Sequence, residues 1–459
     1  MLKKQNKIII VDNLPRQLEI LGKSFFENGL GVRTFVYDQT YDEPLENVRI
    51  AFFDINLTEK TVDVSSDDDS QILKNNSPVF NDLANAINQY ISKTNGPYIL
   101  IFWTANKKVV DAFKLYMQDE GRGFSETASP ILTECIDKTV YNGEGENSLL
   151  SDAVMELLNK HEKIKFLLDL EENSQIAGQQ VLNRIYSILP KEDAWGESDK
   201  LFANLDKALS KIAASALGFE HAKFTPQKGV YEGLIPILNY ELLNLDSSVD
   251  WSFIVSELMS AQKINDISST TTSVKNELNT LYHIEEFTGQ TKDTRGCVIE
   301  INKNDTDVLN LLGIENFEDW MSKLLALKQN TSTQQQRSKL IVDKAQLIAV
   351  EISAACDFSN KKNRINKYII GILTSNLNDK IDSDVDLKIR PESCYHLGGC
   401  CFKIGSINYH IWLNLNYVFG AKPDDTILGQ PQFVLKKEIM DMLGNKYASH
   451  ISRIGITSL

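Results

Sequence analysis

The chain has no apolar run long enough to cross a bilayer. The first, Ile8 to Val11 in "MLKKQNKIIIVDN", is also too short for the core of a signal peptide. A cytoplasmic protein that does not enter membranes is expected. Cysteine is scarce, with six residues scattered through 459. That argues against a disulfide scaffold and fits reduced thiols. Positive charge is in deficit, 48 Lys and Arg against 62 Asp and Glu, for a net charge of -14. A general nucleic-acid surface is therefore not expected. The sequence has no Walker-type GxxxxGK[ST], no GxGxxG after a strand, no HExxH, no GxSxG and no internal repeat. A helix-turn-helix with a basic recognition helix is also missing, which disfavours a transcription factor.

What is present is ordinary globular composition, 42% apolar and 24% charged. The length exceeds one core, so two or three domains are expected. The N-terminal third alternates apolar strands with amphipathic helices. "KIIIV", "VRTFVYD", "VRIAFFD", "YILIFW" and "PILTECID" read as strands. The first helix carries Leu14, Leu18, Leu21 and Phe25 on one face. Others are predicted over "PVFNDLANAINQYISK" and "NKKVVDAFKLYMQ". Runs such as "KIIIV" lack alternation, as strands buried on both faces of a parallel sheet do. The pattern predicts a five-stranded, doubly wound α/β domain over residues 1–145. The polar, acidic stretch "TEKTVDVSSDDDSQILKNNS" reads as a loop insertion.

From residue 146 to 329 the pattern is helical. Leu150, Val154, Leu157, His161, Ile164 and Leu168 form one apolar stripe at 3-4 spacing. Packing in a bundle or a homodimer through helix 147–170 would each use it. Further helices are predicted over 175–189, 198–217, 230–245, 251–263 and 272–287. "NTSTQQQRS" at 330–338 reads as a linker. Residues 339–459 read as an α+β module, with strand-like "LIVDKAQLIAVEISAACD" and "CCFKIGSINYHIWLNLNYVFG" before a closing helix, "QFVLKKEIMDMLGNKYASHISR".

In an α/β sheet, ligands bind beyond the carboxyl ends of the strands. The first predicted strand ends in Asp12-Asn13, the third in Asp54, the fourth in Thr104-Ala105 and the fifth in Asp137-Lys138. Acids, a hydroxyl and a lysine thus emerge from one sheet edge. Over residues 5–142 this resembles the receiver domain of two-component response regulators, and "FFDINL" resembles that family's phosphorylation-site strand. The resemblance implies a flavodoxin-like fold, with Asp54 as phosphoacceptor. It implies Mg²⁺ held by Asp12, Asn13, Asp54 and the Asn56 backbone carbonyl. Thr104 and Lys138 would contact the phosphoryl oxygens. It further implies a histidine kinase, or a related ATPase, as donor. Phosphoryl transfer needs positioning and charge neutralisation, which these residue types supply. Asn13 departs from the pattern, standing where a second acid is common. So do Thr139, in place of a proline, and Cys135, in place of an aromatic.

Three readings stay open from sequence. One is a phosphorylatable signalling protein that controls its C-terminal module through protein contacts. Another is a receiver-gated nuclease or hydrolase, such as serves bacterial stress or phage defence. The third is a pseudo-receiver scaffold. For the second, "VEISAACDFSNKK" offers Glu351, Cys356, Asp357 and Lys361, although the segment reads equally as a strand entering a turn. Cys394, His396, Cys400 and Cys401 in "CYHLGGCC", with His410 nearby, are zinc-type ligands. Their spacing matches no common zinc pattern, and adjacent cysteines on a strand face opposite ways. Core cysteines in a hairpin turning at Gly398-Gly399 are the expectation. His161, His221, His283 and His450 show no ligand spacing.

Overall fold

A computed structural model describes residues 7–27, 29–66, 68–104, 106–137, 140, 147–191, 196–267, 272–286, 288, 290–328, 330–353, 365–375 and 390–452. The chain forms two compact units. One comprises residues 1–176 and 246–259, the other 177–245 and 260–459.

The N-terminal unit contains a parallel sheet of β1 (Ile8–Asp12), β2 (Arg33–Val36), β3 (Ile50–Asp54), β4 (Ile99–Trp103) and β5 (Leu132–Ile136). Its order, β2-β1-β3-β4-β5, is the flavodoxin-like one. Strands β1, β3 and β4 are buried at every residue, as their unalternating sequences require. Helices α1 (Pro15–Glu27) and α4 (Asn147–Asn159) bring Leu21, Phe25, Leu150 and Val154 onto one face. Helices α2 (Asp69–Tyr90) and α3 (Lys107–Gln118) cover the other with Phe80, Leu83, Ile87 and Phe113. No helix joins β2 to β3. An aromatic cluster packs there instead: Tyr41 stacks on Tyr90 at 4.5 Å between centroids, and Phe35 meets Tyr90 edge-on at 5.1 Å. The Tyr90 hydroxyl accepts from Asp38 N at 3.0 Å, which anchors the connection.

Two N-terminal expectations need correction. Helix α2 begins at Asp69, inside the stretch read as a loop, and carries Pro78 internally. The lost hydrogen bond is offset by anchors upstream. Asp68 caps the helix, Ile72 is buried, and buried Asn76 bonds Asp63 N at 2.6 Å and Asp63 O at 2.8 Å. The stripe from Leu150 to Leu168 is not one helix, because α4 stops at Asn159 and α5 (Glu162–Ile188) begins after it. Leu150 and Val154 are buried in the sheet's core, and Ile164 and Leu168 pack against it. The stripe is therefore occupied within the chain rather than presented to a second copy. Helix α5 also continues through 175, where Asn173 bonds Asp169 and Ser174 bonds Leu170 O one turn back.

The second unit opens with the end of α5 and α6 (Asp199–Leu217), α7 (Phe219–Phe224) and α8 (Pro226–Leu243). The short helices α9 (Trp251–Ile254) and α10 (Ser256–Ser260) follow in the chain but belong, up to Met259, to the N-terminal unit; the next helix of the second unit is α11 (Thr272–His283). An antiparallel seven-stranded sheet then runs β10-β11-β9-β8-β7-β12-β6. Its strands are β6 (Ile284–Glu286), β7 (Cys297–Ile301), β8 (Gln346–Glu351), β9 (Asn366–Ser375), β10 (Cys394–Ile404), β11 (Ile407–Ala421) and β12 (Pro431–Leu435). The sheet thus draws two strands from residues before 339. One face carries α12 (Thr306–Leu311), α13 (Phe317–Leu325) and α14 (Ser332–Lys344), with Trp320, Met321 and Ile341 in its core. The other carries α15 (Lys437–Ile451), through Ile439, Met440 and Leu443.

Here too the local readings shift. Residues 330–338 are not a linker, because Thr331 caps α14 and Ser338 is buried, donating to Lys328 O at 3.0 Å. The strand predicted from Leu340 begins only at Gln346. The hairpin turns at Gly405-Ser406, between paired Ile404 and Ile407. Gly398-Gly399, both at positive φ, instead form an irregularity inside β10. "QFVL" is a strand before the closing helix, because it pairs with both β6 and β7.

Candidate functional site

Val11 pairs with Phe53 across β1 and β3, so the next residues, Asp12 and Asp54, end neighbouring strands. Both continue the alternation that holds Ile8, Ile10, Ile50 and Phe52 on one face. Two carboxylates therefore emerge side by side at the carboxyl edge of the sheet. Asp54 also pairs with Trp103, which places Thr104 one residue beyond it on β4. Asp12, Asp54 and Thr104 are 1%, 2% and 3% exposed, far below the norm for such residues.

Local bonds fix this edge. Asp12 Oδ1 accepts from Leu14 N at 2.7 Å, which turns the chain into α1. Asp54 Oδ1 accepts from Asn56 N at 3.4 Å, and Asn56 Oδ1 accepts from Val62 N at 3.1 Å, folding the β3 loop back on itself. Thr104 N donates to Ile136 O at 3.0 Å, and Thr104 Oγ1 accepts from Asn106 N at 3.3 Å. Cys135 Sγ donates to Thr104 O at 3.0 Å. Burial, and then the Asp137 charge, push that thiol up to about 11, so it remains a donor at neutral pH. Asn13 Oδ1 is buried and has no hydrogen-bond partner among the described residues.

That orphaned amide oxygen bears on Mg²⁺. A hard cation takes oxygen ligands and keeps several waters. Two carboxylates and one unsatisfied carbonyl oxygen on the same edge suit it. Among the described residues no group of three or more His, Cys, Asp and Glu side chains is placed to hold a metal. The β1 and β3 ends therefore offer two acids, Asp12 and Asp54, and the Asn13 amide, while Asp137 follows β5, two strands from Asp54. Lys138 and Ala105 lie outside the described residues.

The second unit separates the other sequence candidates. Cys394 lies in the core facing α12–α14, whereas Cys400 packs against the core facing α15. Cys394 and Cys400 therefore do not converge on one ion. Burial pushes their thiols up to about 12 and about 11. What the sequence missed is a histidine pair. His396 Nε2 lies 3.0 Å from His410 Nδ1, and the His396 ring stacks on buried Trp412 at 4.1 Å between centroids. Burial, with His410 and Arg390 beside it, pushes His396 down to about 4. Alternation in "NYHIWLN" and "CYHL" was the available signal, since it puts both rings on the Trp412 face. Glu351 is fully buried, and its Oε1 accepts from Ser353 N at 3.1 Å. Cys356, Asp357 and Lys361 lie outside the described residues. Among the described residues no helix is long and apolar enough to cross a membrane. Comparison with protein-family models, curated proteins and solved structures gives no significant match in any of the three.

Proposed function

We propose that the chain is a receiver-type signalling protein that accepts a phosphoryl group on Asp54 and thereby controls its C-terminal unit. The observation that carries this reading is the pair of buried carboxylates, Asp12 and Asp54, side by side at the carboxyl edge of a β2-β1-β3-β4-β5 parallel sheet. The orphaned Asn13 Oδ1 supports it from the metal side. Asp12, Asn13 and Asp54, with the Asn56 carbonyl, would hold Mg²⁺. When bound, the ion neutralises charge on the phosphoryl oxygens.

In the transfer, an Asp54 carboxylate oxygen forms a bond to phosphorus. The P–N bond of a donor phosphohistidine breaks, and its electron pair stays on the imidazole, which takes a proton. The strand holds Asp54 in place while the Asn56 N–H steadies Oδ1. Thr104 supplies a hydroxyl one strand away, whose donation to the new group is available only after transfer. Lys138 has the role of a point charge on a phosphoryl oxygen.

Incubation with acetyl phosphate and Mg²⁺, followed by intact-mass analysis, tests this. The native chain is expected to gain one phosphoryl group, and Asp54→Asn to gain none. Equal labelling of both sinks the proposal.

A further inference from the structure

We propose that a cavity in the N-terminal unit binds a neutral, mainly apolar small molecule that carries one hydrogen-bonding group. The cavity measures about 500 Å³, within the range of ligand sites. It lies between α3, the amino ends of β4 and β5, and the connection from α3 to β5. Buried Ile87, Leu100 and Phe113 line it, with half-buried Met117, Phe124 and Leu132. Asp12 and Asp54 stand at the opposite, carboxyl edge of the sheet, so the inference does not depend on phosphorylation.

The connection beside the cavity is fixed by specific bonds. Arg122 lies over the Tyr116 ring at 4.2 Å and pairs with Asp119 at 2.8 Å. Phe124 packs on the same Tyr116, with centroids 6.1 Å apart. The Tyr98 hydroxyl donates to Ala128 O at 2.7 Å, and Ile131 N donates to Tyr98 O at 2.9 Å. The cavity is therefore formed before any ligand arrives, which lowers the ordering cost of binding.

The lining selects the occupant. An ordered water needs two to four polar partners, which Ile87, Leu100 and Phe113 cannot supply, so an apolar body fits there better. Among the described residues that line the cavity there is no acid, and its one cation, Lys114, pairs with Asp111 at 3.2 Å. An ionised ligand would thus find no unpaired opposite charge. Thr127 also lines the cavity, and its Oγ1 is buried with no hydrogen-bond partner among the described residues. Such a group gains a partner only from an occupant that brings a donor or acceptor. A dry cavity of about 150 Å³ holds one benzene, so this one holds roughly 15–20 non-hydrogen atoms. Met117, flexible and polarisable, adapts the wall to an aromatic ring.

Fluorescence titration of the full chain with N-phenylnaphthylamine tests this. The dye is a neutral aromatic amine of that size, and its emission rises in apolar surroundings. Saturation at one dye per chain is expected. Met117→Trp, which fills the cavity from α3, should weaken binding at least tenfold with circular dichroism unchanged. If that variant fails to fold, Ser129→Trp narrows the cavity from an exposed position and should do the same. Thr127→Val keeps the shape, removes the hydroxyl and should weaken binding severalfold. Leu243→Glu, on an exposed helix of the second unit, should leave binding unchanged. No saturable binding by the native chain overturns the inference. Binding that survives the tryptophan substitutions overturns it too, because the dye then sits elsewhere. Equal binding by Thr127→Val overturns the hydrogen-bonding part.

Discussion

Replacing Asp54 by Asn should make the N-terminal unit more stable without Mg²⁺ and indifferent to Mg²⁺ when it is added. Asp12 and Asp54 end adjacent strands and are 1% and 2% exposed. Adjacent strands lie about 4.8 Å apart. Two unit charges at that distance repel by about 3 kcal/mol at an effective dielectric constant near 20. Relaxation reduces this, so about 1.5 kcal/mol is expected from Asp54→Asn. For a domain of 150–250 residues that corresponds to a rise in Tm of roughly 3–6 °C. In the native chain Mg²⁺ bound as proposed would relieve the repulsion instead. Mg²⁺ at ten times its Kd stabilises by about 1.4 kcal/mol, again a few degrees. The assay is thermal unfolding in EDTA and in 10 mM Mg²⁺, native against Asp54→Asn, with Ca²⁺ as a second cation. The reasoning fails if Asp54→Asn melts below the native chain in EDTA. Asp54 would then be a structural partner rather than one of two crowded acids. It also fails if Mg²⁺ raises both proteins equally.

Other consequences are open to measurement. Asn13→Asp should tighten Mg²⁺ binding at least tenfold, read by fluorescence of Trp103 beside Thr104, because a third acid replaces an orphaned amide; unchanged affinity would place the ion elsewhere. Tyr90→Ala should cost about 3–5 kcal/mol in urea unfolding, since it empties a core position and removes the anchor of Asp38, whereas Tyr90→Phe should cost about 1 kcal/mol. His396 is pushed down to about 4 in the fold, against about 6.5 unfolded. The unfolded chain thus binds the extra proton first, and stability should be full above pH 6.5 and fall progressively toward pH 4. His396→Gln should flatten that fall, and an identical pH profile in the variant would refute the assignment. Cys297, Cys394 and Cys400, pushed up to about 12, 12 and 11, should resist iodoacetamide at pH 8 until the chain is unfolded.

The parallel sheet was legible because its strands are uniformly apolar and buried on both faces, so "KIIIV" and "YILIFW" admit little else. The strand-end acids were legible for the same reason, since the edge of such a sheet follows once its strands are known. Helix α2 was not, because Pro78 masked its first half, and what holds that half is a tertiary bond between Asn76 and residue 63. The linker reading of 330–338 failed because composition says nothing of Thr331 as a cap or of Ser338 reaching Lys328 O. The hairpin was placed one turn early because a Gly-Gly pair serves an irregularity as well as a turn. Pairing across β10 and β11, not sequence distance, brings His396 to His410.

The local bonding around Thr104 constrains how the edge can respond. Here the Thr104 backbone is held on both sides, its N–H by Ile136 O and its carbonyl by the Cys135 thiol. A thiol pushed up to about 11 keeps its proton and hence this bond across the physiological range. The hydroxyl, by contrast, accepts among the described residues a 3.3 Å contact from Asn106 N, near the long limit for such a bond. Turning the hydroxyl toward a modified Asp54 costs that one weak contact, whereas moving the strand end costs two bonds to β5. The cheaper response is a rotation of the Thr104 side chain that releases Asn106, the residue before α3, and leaves the sheet itself unchanged. On this geometry Cys135 is not a vacant place in an aromatic relay. If Asp54 is modified as proposed, Cys135 would confine the response to the side chain of Thr104 and the start of α3.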